Sequence, residues 1–203
     1  AYPLDRHLQA HAPTLETVAQ RRDFERVPYA ERIAVHSTLD ALRTGAAANP
    51  CAPALQFLPN ADPSEQPLVI SHADFIGEVL RTAKMLHALG VGPDDVVSMM
   101  LPLVPQAFFA LFGAEATGIA NPINPMLEPH QLVQIMRAAK TKVLIALGPT
   151  DGADIWSKVE LIRGQLPEHH CQRLAPRRAL QTIDSGRRTH RARCRREHSC
   201  RRC

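Results

Sequence analysis

The sequence predicts an α/β fold, the opening part of a parallel sheet with helices on its faces. Three observations carry that expectation. The runs Val96 to Leu101 and Lys142 to Leu147 are apolar almost throughout, as strands covered on both sides should be. Ahead of the first lies an apolar stripe of helical period, made by Phe75, Ile76, Val79, Leu80, Ala83, Leu86 and Leu89. Strand-like and helix-like segments then alternate as far as Pro167, in the manner of βαβ units.

Residues 1–49 read as a helical lead-in. Within it Ser37 can cap a short helix through Leu39 and Leu42, with Gly45 closing it. Asn49-Pro50 breaks the chain. Ala54 to Leu58 and Leu68 to Ile70 suggest a hairpin around the turn-rich stretch Pro59 to Ser64. Ser71 and Asp74 have capping-box spacing at the head of the striped helix. Gly90 is placed to take the left-handed conformation at its end, with Val91 packing back. Pro105 suits the first turn of a second helix, Gln106 to Thr117, which Gly118 ends. Ile119 to Pro125 is extended, because the residue before each proline is pushed away from helix. A third helix starts near Pro129 with Leu132, Val133 and Met136 on one side. Ile155, Val159, Ile162 and Leu166 mark a fourth. After Pro167 no apolar run follows, so the sheet is expected to stop at an open, apolar edge that favours aggregation.

Charge divides the chain at the same place. Residues 168–203 hold eleven Arg and no Lys against two Glu and one Asp, a surplus of eight positive charges; the other residues hold 13 basic and 17 acidic groups, a deficit of four. Cys51 stands alone in the body, whereas Cys171, Cys194, Cys200 and Cys203 lie in the tail. One cysteine in so long a body fits a reducing, cytoplasmic setting. No apolar run is long enough to predict a transmembrane segment. The first twenty residues lack the apolar centre of a secretory signal, and the chain starts at Ala1 rather than Met.

Between about Pro50 and Pro167 the sequence resembles the opening of the AMP-dependent synthetase/ligase (adenylate-forming) family, in particular its fatty-acyl-CoA synthetase branch. The segments that carry the likeness come in one order. They are Pro53 to Phe57, Leu89-Gly-Val-Gly-Pro-Asp-Asp-Val-Val97, Leu101-Pro-Leu-Val-Pro-Gln-Ala-Phe108, Gly113 to Pro125, and Lys142 to Ile145. Asp94 stands where the family usually has Gly, and Leu103 where it usually has Asn. The resemblance implies the first part of the large adenylate-forming domain. It implies a ligase chemistry in which a carboxylic or fatty acid attacks Mg-ATP to give an acyl adenylate, from which CoA makes the thioester. ATP, Mg and CoA are thus the family's cofactors. The family's phosphate loop, rich in Ser, Thr and Gly and followed by Lys, is missing from these 203 residues, as are its other catalytic motifs. No catalytic, cofactor-binding or metal residue is therefore carried over, and the fragment is expected to be inactive.

The remaining candidates have plain readings. Asn121 to Pro125 reads as a rigid connector, and Asp94 with Asp95 as a solvated turn. His72, His87 and His130 lack the oriented partners that a base needs. Cys194, Cys200 and Cys203 with His190 and His198 could be read as zinc ligands, and the Arg cluster as a nucleic-acid contact, which would make the chain a binding module. The stretch 168–203 has no supporting core and no stacking aromatics, so no specific nucleic acid is expected. An Arg-rich composition without Lys or periodicity reads instead as a frameshifted, disordered tail replacing the rest of the enzyme.

Overall fold

The computed structural model of the chain describes residues 15–28, 31, 35–60, 62, 64–166 and 170–174, the last five by backbone alone. Compactness divides the chain after His36. The first unit contains helix α1, Val18–Glu25, opened by a reciprocal capping box between Thr17 and Gln20; none of its residues is buried.

The second unit opens with α2, Thr38–Ala48, where the Ser37 hydroxyl accepts the Asp40 N–H at 3.1 Å. Gly45 does not end this helix, contrary to the sequence expectation. The three alanines after it are the best helix formers and carry the turn through to Asn49, where Pro50 forbids more. Leu39 and Leu42 of α2 pack against the core, so α2 belongs with the sheet rather than with a separate lead-in.

Strands β1, Pro53–Phe57, and β2, Leu68–Ser71, form the expected antiparallel hairpin, with Phe57 opposite Leu68. The last residue of β2 is also the cap of helix α3, His72–Ala88. Ser71 accepts the Asp74 N–H at 3.1 Å and donates to the Asp74 carboxylate at 2.7 Å. At the other end Gly90 takes φ +79°, and the N–H groups of Gly90 and Val91 return to the carbonyls of His87 and Leu86. This pair of bonds satisfies carbonyls that a helix end would otherwise leave open.

From here the chain builds the main sheet. Its elements are β3, Val96–Met100; α4, Pro105–Glu115; β4, Ile119–Pro122; α5, Pro129–Ala138; β5, Thr141–Leu147; α6, Ile155–Ile162, with a 3₁₀ turn Arg163–Gln165; and β6, His170–Leu174. The strand order is β4-β3-β5-β6, and every neighbouring pair is parallel.

Two strands escaped the sequence reading. The stretch read only as extended is strand β4, paired in step with β3 from Val96–Ile119 to Met99–Pro122. The N–H groups of Ile119 and Ile123 bond back to Asp95 and Met99 on the β3 side. By the two-residue alternation of a strand, Pro122 then faces the outer edge, where its missing N–H costs nothing. The second is β6, paired with β5 from Val143–His170 to Leu147–Leu174. It corrects the expectation that the sheet stops at Pro167 and that disorder begins at residue 168. Among the described residues β6 has one neighbour, and a strand so placed needs no continuous apolar run, so His170–Leu174 carried no signal. Residues 175–203, with the rest of the tail reading, lie outside the described residues.

Both faces of the sheet are covered. On one, Leu86 of α3 and Ala110 and Ala114 of α4 pack against Val97, Met99, Val143 and Ile145. On the other, Leu132 and Met136 of α5 and Val159 and Ile162 of α6 enclose Met100, Leu144 and Ala146. Phe75 meets Phe109 and Phe112 edge-on at 5.5 and 5.8 Å, joining α3 and α4 to the hairpin. Polar residues also sit among these apolar strands. Ser98 is fully buried and shares a 2.7 Å hydrogen bond with the Thr141 hydroxyl, while the Asn121 amide donates to it at 2.9 Å. The three side chains link β4, β3 and β5 and satisfy one another, as buried polar groups must.

Gly118 is the tightest point of the fold. A Cβ there would lie 2.5 Å from the Asp95 carbonyl and 2.7 Å from that of Gly92. Gly45 meets nothing within 4 Å in its helix. Gly118→Ala should lower the unfolding free energy by about 1–3 kcal/mol. Gly45→Ala should raise it by roughly 0.5–1 kcal/mol, and urea denaturation of the two variants checks both signs.

Candidate functional site: the carboxyl ends of the parallel strands

Helix α4 follows β3 on one face of the sheet, while α6 follows β5 on the other. The loops leaving these two neighbouring strands therefore diverge, and doubly wound sheets bind their ligands in the crevice so formed. Its walls are Leu101 to Val104 after β3 and Gly148 to Ala153 after β5, with Ile123 to Leu127 following β4 alongside. The β5 loop is closed by a bridge between Thr150 and Ala153. The β4 loop is fixed by three bonds. Asn124 Oδ1 accepts the Met126 N–H at 3.0 Å, the Leu127 N–H returns to Asn124, and Lys158 Nζ donates to the Pro125 carbonyl at 3.0 Å. Lys158 is itself paired with Asp154 at 3.1 Å.

The groups around the crevice are mainly hydroxyl, amide and proline; the acid Asp151 is exposed on the β5 loop, and Lys158 is tied to Asp154 and the Pro125 carbonyl. Asn121 and Asn124, the polar residues of the connector, spend their side chains on Ser98 and on the Met126 backbone. His72 and His87 stand at opposite ends of α3, roughly 22 Å apart at 1.5 Å per residue. His130 is on α5. The structure brings none of the three together. Among the described residues no three His, Cys, Asp or Glu side chains converge, and no step through Mg²⁺ is derived. The Cys and His residues read as zinc ligands lie outside the described residues, as do the arginines from Arg177 onward. Cys51 is held in a disulfide, against the reduced state that a lone body cysteine suggested. No helix among the described residues is long and apolar enough to cross a membrane.

A charged network lies at the opposite, amino-terminal ends of the strands, and sequence reasoning passed over it. Asp95 was expected in a solvated turn. Its carboxylate accepts from Lys142 Nζ at 2.7 Å and from the Gly92 N–H at 2.8 Å, and Lys142 also donates to the Gly90 carbonyl at 2.6 Å. The Lys142 hydrogen bond, with help from Gly92, holds the Asp95 carboxyl below the ordinary carboxylate range. The signal was available: an acid just before one apolar strand and a base at the head of another, which meet only if the strands are parallel neighbours. On α3, burial raises the carboxyl of Glu78, opposed by Arg81 at 2.6 Å.

The family model of the AMP-binding enzymes matches residues 42–194. The chain belongs to this family. Its match runs past Pro167 and takes in β6. Among curated relatives, a marinolic acid–CoA ligase of Pseudoalteromonas sp. (strain SANK 73390) is 26% identical over 162 residues, which are 80% of this chain and 25% of that protein. A long-chain-fatty-acid–CoA ligase of Bacillus subtilis (strain 168) is 33% identical over 75 residues, 36% of this chain and 13% of that one. Among solved structures, the acetoacetyl-CoA synthetase of Streptomyces lividans superposes with TM-score 0.60 at 25% identity, covering 70% of this chain and 23% of that one. An anthranilate CoA ligase with bound anthranoyl-AMP has the same fold at TM-score 0.61 and 22% identity, covering 71% of this chain and 26% of that one. The chain therefore spans a quarter or less of the length of the curated relatives quoted.

Asp95 gives a pH signature. A carboxyl held below its ordinary value favours the fold above that value, and the contribution fades as pH falls through the lowered one. Asp95→Asn should therefore be less stable than the parent at pH 7, with the difference closing as pH falls through the lowered value. Urea midpoints followed from neutral into acid pH measure it.

Proposed function

We propose that this chain supplies the amino-terminal part of an AMP-forming acid–CoA ligase and does not adenylate an acid by itself. The observation that carries the reading is a contrast within one molecule. The family's sheet is formed, strand by strand, and the family model matches most of the chain. Yet no glycine-rich phosphate loop occurs in the sequence, and the lysine beside the crevice, Lys158, is tied to Asp154 and to the Pro125 carbonyl. Adenylation needs backbone N–H groups and a cation around the phosphates, in place before the charge shifts. A rigid half-crevice of prolines and amides does not provide them.

Under this reading the acid, ATP, Mg and CoA are bound by residues that follow the matched stretch in complete ligases. The relatives' printed substrates range from acetoacetyl and anthranilate to long-chain fatty acids, and nothing in the crevice selects among them. The Arg-rich stretch 168–203 belongs to the same proposal, as translation of a GC-rich gene in another frame from near codon 167. The pairing of β6 and a family match that continues to residue 194 weigh against so early a change. Reading the gene in its other two frames tests this, since one of them should continue into a loop rich in Ser, Thr and Gly followed by Lys.

The purified chain, given ATP, Mg²⁺, labelled pyrophosphate and a panel of carboxylic acids, should show no pyrophosphate exchange above the protein-free rate. Measurable turnover would overturn the proposal.

A further inference from the structure

Helices α5 and α6 pack together through Leu132, Met136, Val159 and Ile162, all buried. Apolar helix faces of this kind permit small sliding motions. This pair carries a polar strut at each end as well. At the carboxyl ends of the strands, Lys158 of α6 donates to the Pro125 carbonyl, in the loop that leads into α5, at 3.0 Å. At the other end, Arg137 of α5 donates twice to the Gln165 carbonyl, in the turn that follows α6, at 2.6 and 3.2 Å. A cation on each helix thus holds a backbone carbonyl just beyond the end of the other.

The two struts differ in burial. The Arg137 bonds lie at the surface, whereas the Lys158 side chain is only 13% exposed. Its ammonium also pairs with Asp154 at 3.1 Å. Asp154 stands between the β5 loop, Gly148 to Ala153, and the first residue of α6. The Asp154 carboxylate is 67% exposed, so as an ion pair this contact adds little. Its effect is to hold the ammonium on the line to Pro125. One nitrogen therefore touches both the loop after β4 and the residue that ends the loop after β5. Strand β3 lies between β4 and β5, so no ladder bond joins these two loops directly. Lys158 makes the link that the sheet does not.

We infer that Lys158 clasps the loops after β4 and β5 into one body, so that loosening either loop loosens the other. Lys158 is in this sense a positioning residue for the crevice, acting through the Pro125 carbonyl and Asp154. The inference goes beyond the ligase reading and does not depend on it, since a chain without turnover keeps the clasp. Coupling of this kind runs equally in both directions.

Hydrogen–deuterium exchange on the 203-residue chain tests it. Lys158→Met keeps the apolar stem and removes the ammonium. Segments 124–127 and 148–154 should then both exchange roughly three- to tenfold faster, the factor that one lost hydrogen bond gives. Lys158→Arg should restore most of the protection, because a guanidinium also donates to a carbonyl. Strands β3 and β5 should exchange as in the parent. The decisive variant leaves Lys158 in place. Asn124→Ala removes the acceptor of the Met126 N–H and loosens the β4 loop from within. With Lys158 present, segment 148–154 should exchange faster in response; with Lys158→Met already made, adding Asn124→Ala should change that segment no further. A segment 148–154 that ignores Asn124→Ala overturns the clasp. Faster exchange in β3 and β5 along with the loops also overturns it, because a general loss of stability gives that pattern. Should Lys158→Met fail to fold, Asn124→Ala in the parent chain decides alone.

Discussion

Asp95 is the point on which the sheet is hung. Three segments distant in sequence, around residues 90–95, 118–119 and 142, meet at this one residue. Its carboxylate takes the Gly92 N–H and the Lys142 ammonium, and its carbonyl takes the Ile119 N–H at 2.9 Å. Gly118 lies against that carbonyl with no room for a side chain. Lys142 closes the circle on the carbonyl of Gly90, the left-handed residue that ends α3. The end of a helix and the starts of three parallel strands are thereby fixed by a handful of polar contacts. An exposed ion pair alone contributes little to stability. Here the pair is joined by backbone bonds and a steric limit, and together they set where the strands begin.

A second polar device lies deeper. Ser98, Thr141 and Asn121 form a chain of hydrogen bonds across β4, β3 and β5 inside an otherwise apolar layer. Apolar contacts tolerate sliding more readily than a buried hydroxyl tolerates losing its partner. The registers of the three strands are therefore coupled. A one-residue slip would turn Ser98 to the opposite face and leave the Asn121 amide without its acceptor.

Much of this architecture was legible in the sequence, and the failures have physical causes. Helix α3 and strands β3 and β5 were read nearly to their ends, because burial on a fixed side imposes a period on Phe75, Val79 and Leu86 and a continuous run on Val96 to Met100. Strands β4 and β6 were missed because they are outermost: Ile119–Pro122 includes a proline, and His170–Leu174 has no apolar run. Gly45 misled because a weak helix former is not a stop signal when alanines follow it. The crevice could be placed from the order of elements alone. The partners of Asp95 could not, since they depend on which strands become neighbours.

Pro122 gives the sheet a direction of growth. An imide nitrogen on the free flank of β4 offers no donor to an incoming chain, so lengthening from that flank is discouraged, whether by a partner molecule or by an aggregate. The opposite flank, at β6, has no proline among its five residues, so each of them keeps its N–H donor. Strands added to this fold are expected to enter from the β6 flank, one after another, and a single ring nitrogen is enough to set that polarity.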